Sequence, residues 1–192
     1  TTYHPIKIYK NKFHKYWSIF TNKVIDKEFK NEYLKIIDEV KPDIIHIHGT
    51  ENPFGCIIDE TDIPVVVSIQ GVLTIISHKY FSGIESKYLS VSKRKKIFFR
   101  DNFKKSYFNM KRMAKIERST LVKCKYIFGR TDWDERITKI LAPNSIYFHS
   151  DEMLRENFYH NKWEFSQNNF FKIFTTNSNN FYKGFETICE CL

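Results

Sequence analysis

The stretch Lys41-Pro42-Asp43-Ile44-Ile45-His46-Ile47-His48-Gly49 decides how the rest of the chain is read. Pro42 has no backbone N–H and clashes with a preceding helical turn, so a helix that reaches it must stop. Such a helix does reach it. Between Glu28 and Val40 the apolar residues Phe29, Tyr33, Ile36, Ile37 and Val40 recur at the spacing of one helical face. After the stop, Ile44 to His48 is a short apolar run that ends on Gly49. Pro64-Val65-Val66-Val67-Ser68-Ile69-Gln70-Gly71 repeats the pattern, and Tyr126-Ile127-Phe128-Gly129 repeats it again. Short, nearly continuous apolar runs separated by helical patterns suit strands covered on both faces of a parallel sheet.

The remaining elements extend this alternation. Ile6 to Tyr9 alternates like a strand, and Ile57-Ile58 belongs to a short helix. From Ser92 to Leu121, Phe99, Phe103, Tyr107, Met110 and Ala114 step at helical spacing, with Lys95, Lys96, Arg100, Lys104, Lys105, Lys111, Arg112 and Lys115 around them. This is a long amphipathic helix with a cationic outer face. Trp133 to Leu141 reads as a helix stopped by Pro143, Ile146 to Phe148 as a strand, and Glu152 to Tyr159 as a helix. A polar connector at 166–169 precedes a strand from Phe170 to Thr175 and a helix from Gly184 to Leu192. The expected class is α/β with a doubly wound parallel sheet. In such sheets ligands bind outside the carboxyl ends of the strands. Here those ends are His48-Gly49, Gln70-Gly71, Gly129-Arg130-Thr131 and the Thr175 to Lys183 loop. Taken alone, they describe an α/β protein with a polar pocket.

Composition narrows the class. The chain has 192 residues, which suits one domain or one and a part, and its 42% apolar content supports a core. No apolar run approaches the roughly 18–20 residues that span a bilayer. Thr1-Thr2-Tyr3-His4-Pro5 has neither the charged lead nor the cleavage site of a signal peptide. Cys56, Cys124, Cys189 and Cys191 lack framework spacing and read as reduced thiols of a cytoplasmic protein. The net charge of +9 is concentrated: residues 79–125 hold 15 Lys/Arg against 3 Asp/Glu, a net +12, while the remainder is net −3. Such a segment attracts a polyanion: nucleic acid, an anionic membrane face or a phosphorylated substrate.

Individual residues carry competing readings. His46 and His48 share one strand face, because side chains alternate along a strand. His46 reads as a core histidine with satisfied hydrogen bonds. His48, at the strand end, reads as a pocket residue able to hydrogen-bond a hydroxyl. His-x-His without further spaced ligands does not make a zinc site. Gln70-Gly71 either lines the pocket or simply ends a strand. Arg130 either presents its planar fork to a phosphate or carboxylate or pairs with Asp132, Asp134 or Glu152. Trp133 reads as packing and Lys183, by default, as solvated surface, while Glu51 either lines the cleft or stands outside it. Cys189-x-Cys191 reads as chance on a helix face.

Several motifs match a known family in order. Lys41 to Gly49 resembles the kPDiiHiHg strand of family 4 glycosyltransferases, which have the GT-B fold. Ile63 to Gly71 is similar to the family's next strand, with Gln70 where His is common. Gly129-Arg130-Thr131-Asp132-Trp133-Asp134 resembles the GRTxWD element of a bacterial surface-polysaccharide subgroup. Glu152 to Tyr159 with Trp163 resembles its E-x-LR-x-x-FY…W stretch, and Lys183-Gly184 resembles the KG that opens the donor lobe's first helix.

The resemblance implies a retaining enzyme that moves a sugar from a nucleotide-diphosphate donor to a glycan or lipid-linked acceptor in surface polysaccharide synthesis. It implies a Rossmann-like acceptor lobe over 1–168, incomplete at its start, and the beginning of a donor lobe over 169–192. His48 is then the catalytic residue, and Gly49, Gln70, Gly71, Arg130 and Thr131 bind the acceptor. Lys183 and Gly184 bind the donor pyrophosphate, where a helix N-terminus and an ammonium favour an anion. No metal or other cofactor is expected, since the helix N–H groups and the ammonium replace a divalent ion in stabilising the leaving diphosphate. The protein is expected in the cytoplasm, with the basic segment 79–125 against the inner membrane face. Three departures stand out. The opening strand and Gly-rich loop are missing, the paired-glutamate motif is missing, and no Arg lies between Asn177 and Tyr182. The chain is therefore expected to be an inactive fragment of a longer enzyme, and an exposed sheet edge makes a dimer unsurprising. The alternative is a basic nucleic-acid-binding α/β module, since cations with interleaved aromatics suit single strands. Those aromatics recur at core spacing and no recognition-module signature is present, so no nucleic acid is expected. A stand-alone scaffold derived from the enzyme fold is the third reading.

Overall fold

A computed structural model of the chain describes residues 2–6, 24–82, 96–162, 164 and 185–191. The helix before Pro42 is α1, Val24–Val40. The strands are β1, Ile45–His48, and β2, Val65–Ser68, joined through a 3-10 turn at Pro53–Ile57. Helices α2, Leu73–Lys79, and α3, Lys96–Leu121, lead to β3, Tyr126–Gly129. Helix α4, Asp132–Leu141, leads to β4, Ile146–His149, followed by α5, Glu156–His160, and α6, Phe185–Glu190.

The four strands among the described residues are all parallel and neighbour one another in chain order. A strand–crossover–strand unit is right-handed almost without exception. A sheet that grows in one direction therefore carries its crossovers on one face. The packing agrees. Ile47, Val65, Val67 and Ile127 form one core with Val72, Leu121, Cys124 and Ala142, against which Phe54 of the 3-10 turn, Ile75 of α2, Ile137 and Leu141 of α4 and Tyr147 of β4 also pack. A second cluster of Leu73, Tyr80, Met110 and Ala114 locks α2 onto α3.

The register puts the alternate residues on the other face: His46 and His48, Val66 and Ser68, Tyr126 and Phe128, Ile146 and Phe148. Val66 is buried at its centre, whereas His46 and His48 at one edge and Ile146 and Phe148 at the other are exposed. The coarser half of the expected fold is therefore observed, an α/β chain with an all-parallel sheet. Helices over both faces are not seen among the described residues. They require a reversal of strand order, and the strands expected at Ile6 to Tyr9 and Phe170 to Thr175 lie outside the described residues, save Ile6, which is not in a strand. The expected boundary at 168/169 also lies outside them.

Three local expectations differ. Helix α2 was absent from the sequence reading, although Val72, Ile76 and Tyr80 follow Gly71 at helical spacing. The helix expected over Glu152 to Tyr159 begins only at Glu156, and Glu152 to Arg155 is irregular chain. Trp133, read as packing, is 46% exposed, because the capping of α4 turns Asp134 rather than Trp133 inward. No helix among the described residues is long and apolar enough to cross a membrane.

Candidate functional site

The carboxyl ends of the four strands converge on one pocket of about 160 Å³. Its floor is the exposed sheet face, through His46, His48, Ser68 and Phe128. Its rim is made of Gln70 after β2, Arg130 after β3, and Ser150, Asp151 and Glu152 after β4. His48, Gln70 and Arg130, singled out from separate strand ends in the sequence, are thus brought together.

His46 differs from its sequence reading. It is exposed on the sheet face, with Nε2 2.6 Å from Ser68 Oγ and its ring 6.0 Å from both the His48 and Phe128 rings. It lines the pocket instead of filling the core, because the register gives the packed face to Ile45 and Ile47. One strand later, Gln70 Nε2 lies 2.5 Å from His48 Nε2. With the imidazole proton on Nδ1, the Gln70 amide donates to His48 Nε2, which fixes the ring.

Arg130 spans the rim. Its Nη1 donates to Glu152 Oε1 at 2.8 Å and its Nη2 to the Gln70 carbonyl at 2.9 Å, so the guanidinium ties the end of β2 to the chain after β4. The pairing with Glu152 is the structural partner that the sequence left open. Its side chains are 37% and 54% exposed, which makes it a weak, exchangeable ion pair. Asp134 is used elsewhere: its Oδ2 accepts the Arg130 N–H at 3.0 Å and the Thr131 N–H at 3.1 Å.

Thr131 is spent on the same turn. Its Oγ1 accepts the Asp134 N–H at 3.1 Å, completing a capping box at the start of α4. Tyr147 closes the group by donating its hydroxyl to the Thr131 carbonyl at 3.1 Å. Burial, then the nearby Asp134 and Glu135 charges, raise the Tyr147 phenol above its ordinary pKa.

Two strand-terminal glycines are required sterically. Gly49 has φ +86°, a region side chains disfavour, and the Glu51 carboxylate lies where a Cβ would sit. Gly129 would place a Cβ 2.5 Å from the Tyr147 hydroxyl and 2.9 Å from Asp134 Cβ. Gly71 meets only ordinary contact, 3.6 Å from Ile76. Neither Gly49 nor Gly71 lines the pocket, although each adjoins a residue that does. Lys183 and Gly184 lie outside the described residues.

Sequence reasoning missed Ser68, Ser150 and Asp151. The rule that ligands gather at strand ends would have found the last two, had it been applied after β4 as it was after β1, β2 and β3. His149 Nε2 stands 3.2 Å from Asp151 Oδ1 beside them. Among the described residues no group of three or more His, Cys, Asp or Glu is arranged to hold a metal ion. The pocket offers imidazole and amide groups that can exchange hydrogen bonds with hydroxyls, one cationic fork, and two carboxylates.

No family model, curated protein or solved structure matches the chain.

Proposed function

We propose that this chain supplies the acceptor-binding part of a retaining, nucleotide-sugar-dependent glycosyltransferase of the doubly wound, Rossmann-like kind, active in surface polysaccharide synthesis. The observation that carries this reading is the convergence of His48, Gln70 and Arg130 on one pocket at the carboxyl ends of adjacent parallel strands. The order of the motifs they belong to supports it.

In the proposed reaction the bond from the sugar's anomeric carbon to the donor phosphate breaks, and the diphosphate leaves with the electron pair. A bond from the same carbon to the acceptor oxygen forms, and the acceptor hydroxyl gives its proton to the leaving diphosphate. His48, held by Gln70, hydrogen-bonds a hydroxyl of the sugars in the pocket. Arg130 exchanges Glu152 for a polar group of the acceptor. Lys183 and Gly184 hold the donor pyrophosphate. Lys111, Lys115, Arg118, Lys123 and Lys125 are exposed, which supports docking of the basic segment on the anionic inner membrane face, where lipid-linked acceptors reside. Each cation near such a surface contributes about 1 kcal/mol.

The test is the release of nucleoside diphosphate from a panel of nucleotide sugars by the product of the complete gene, with and without glycan and lipid-linked acceptors. Acceptor-stimulated release is expected from at least one donor, and His48→Ala is expected to lower it about 100-fold or more. Release that His48→Ala leaves unchanged takes the pocket out of the reaction.

A further inference from the structure

Glu117, on α3, is 0% exposed. A carboxylate so placed is costly unless hydrogen bonds replace its water, and here three do. Thr50 Oγ1 donates to Oε2 at 2.7 Å, the Leu73 N–H to Oε2 at 3.0 Å, and the Thr74 N–H to Oε1 at 2.7 Å. Leu73 and Thr74 open α2, and the first amides of a helix have no partner within it. The residue before them, Val72, provides no side-chain cap. The acceptor comes instead from α3, 44 and 43 residues away along the chain, and a negative charge is favoured at that helix end.

The donors belong to two different strand-end loops. Thr50 follows His48 and Gly49 as the chain leaves β1. Leu73 and Thr74 follow Gln70 and Gly71 as it leaves β2. One buried carboxylate therefore grips both loops whose residues, His48 and Gln70, meet at 2.5 Å in the pocket. The grip is anchored, since Leu73 packs with Tyr80, Met110 and Ala114, and Thr74 Oγ1 reaches the Ala114 carbonyl at 3.4 Å.

We infer that Glu117 is a positioning residue of the strand-end pocket, setting the separation of the loops after β1 and β2 so that the His48 imidazole and the Gln70 amide meet. The inference rests on this pocket being the functional site, and is independent of the reaction carried out there. It also implies that glutamine is a poor replacement despite its shape. A glutamine has one oxygen and one NH2, so in either orientation its NH2 faces a backbone donor, at Thr74 or at Leu73.

The experiment is amide and imidazole NMR on the chain and its Glu117→Gln variant, without any substrate, so it fails or succeeds separately from the sugar-transfer reading. In Glu117→Gln the Leu73 and Thr74 amides are expected to exchange at least tenfold faster, and the His48 imidazole nitrogens to shift. Resonances of Tyr126 to His149 should stay in place. Unchanged His48 nitrogens in a folded Glu117→Gln overturn the inference. If that variant does not fold, Thr50→Val decides. It removes only the arm to the β1 loop, and is expected to move the His48 signal while Leu73 and Thr74 stay protected. A folded Thr50→Val with wild-type His48 nitrogens overturns the inference equally.

Discussion

Ile127→Ala is expected to lower the free energy of unfolding by about 3–4 kcal/mol, read from the midpoint of urea unfolding. Ile127 is 0% exposed, in the middle of β3. Its register neighbours are Val67 on β2, also 0% exposed, and Tyr147 on β4. It faces the core that gathers α2, α3 and α4 onto the sheet. Truncation removes three carbons from water-free packing and leaves a cavity that the flanking strands cannot close without breaking register. Ile140→Ala is the control. It deletes the same atoms from a side chain that is 74% exposed, and is expected to change stability by no more than about 0.5 kcal/mol. Equal losses from the two variants would mean that the face assignment of the sheet is wrong.

The second large effect is alkaline. Burial pushes the Cys124 thiol from 9.0 up to about 12. Burial does the same to the Tyr33 phenol, from 10.0 to about 12, where the ring stacks on Phe29 and meets Phe54 edge-on. Both groups have a folded pKa above the unfolded one. The unfolded chain therefore releases its protons first as pH rises, and the folded chain holds them. The stability they support is complete below pH 9 and is lost as pH climbs toward 12. Well above its unfolded pKa Cys124 lowers stability by at most about 1.4 kcal/mol per pH unit, and the half-buried, solvent-screened Tyr33 by less. Denaturation at pH 8, 9, 10 and 11 should show the decline beginning near pH 9, where Cys124 titrates in the unfolded chain, and steepening near pH 10, where Tyr33 joins. Cys124→Ala should delay the onset by about one pH unit, relative to its own stability at pH 8. A profile for that variant parallel to the parent would mean that Cys124 is not the buried thiol described here.

These two effects come from parts of the fold that were legible in different degrees. Ile127 sits in Tyr126-Ile127-Phe128-Gly129, and the apolar run together with its terminal Gly identified the strand. Which of Ile127 and Phe128 faces the core was not legible, since both are apolar and the run has no polar alternation. Only the register with Val67 and Tyr147 decides it. The stops at Pro42 and Pro143 fixed the ends of α1 and α4 from local chemistry alone. Helix α2 escaped notice because its cap is not local: Val72 offers nothing, and Glu117 supplies the acceptor across the core.

The site followed the same division. His48, Gln70 and Arg130 were legible because strand ends in parallel sheets face a common edge. The choice between partners for Arg130 was not, because Asp132, Asp134 and Glu152 are equivalent in sequence. Asp134 is diverted to backbone amides in the Thr131 cap, and the guanidinium pairs with Glu152. For His46, a histidine between isoleucines in an apolar run suggests burial on both faces. The described sheet leaves its face exposed.

The most direct measurement is calorimetric titration of UDP and GDP into the product of the complete gene, beside its Lys183→Ala variant. Transfer from a UDP- or GDP-sugar requires that one of the two nucleotides bind, and that Lys183→Ala weaken it about tenfold, a loss of about 1.4 kcal/mol. If neither these nucleotides nor ADP or dTDP bind the intact protein, the sugar-transfer reading is contradicted, and the His48–Gln70–Arg130 pocket serves a ligand of another class.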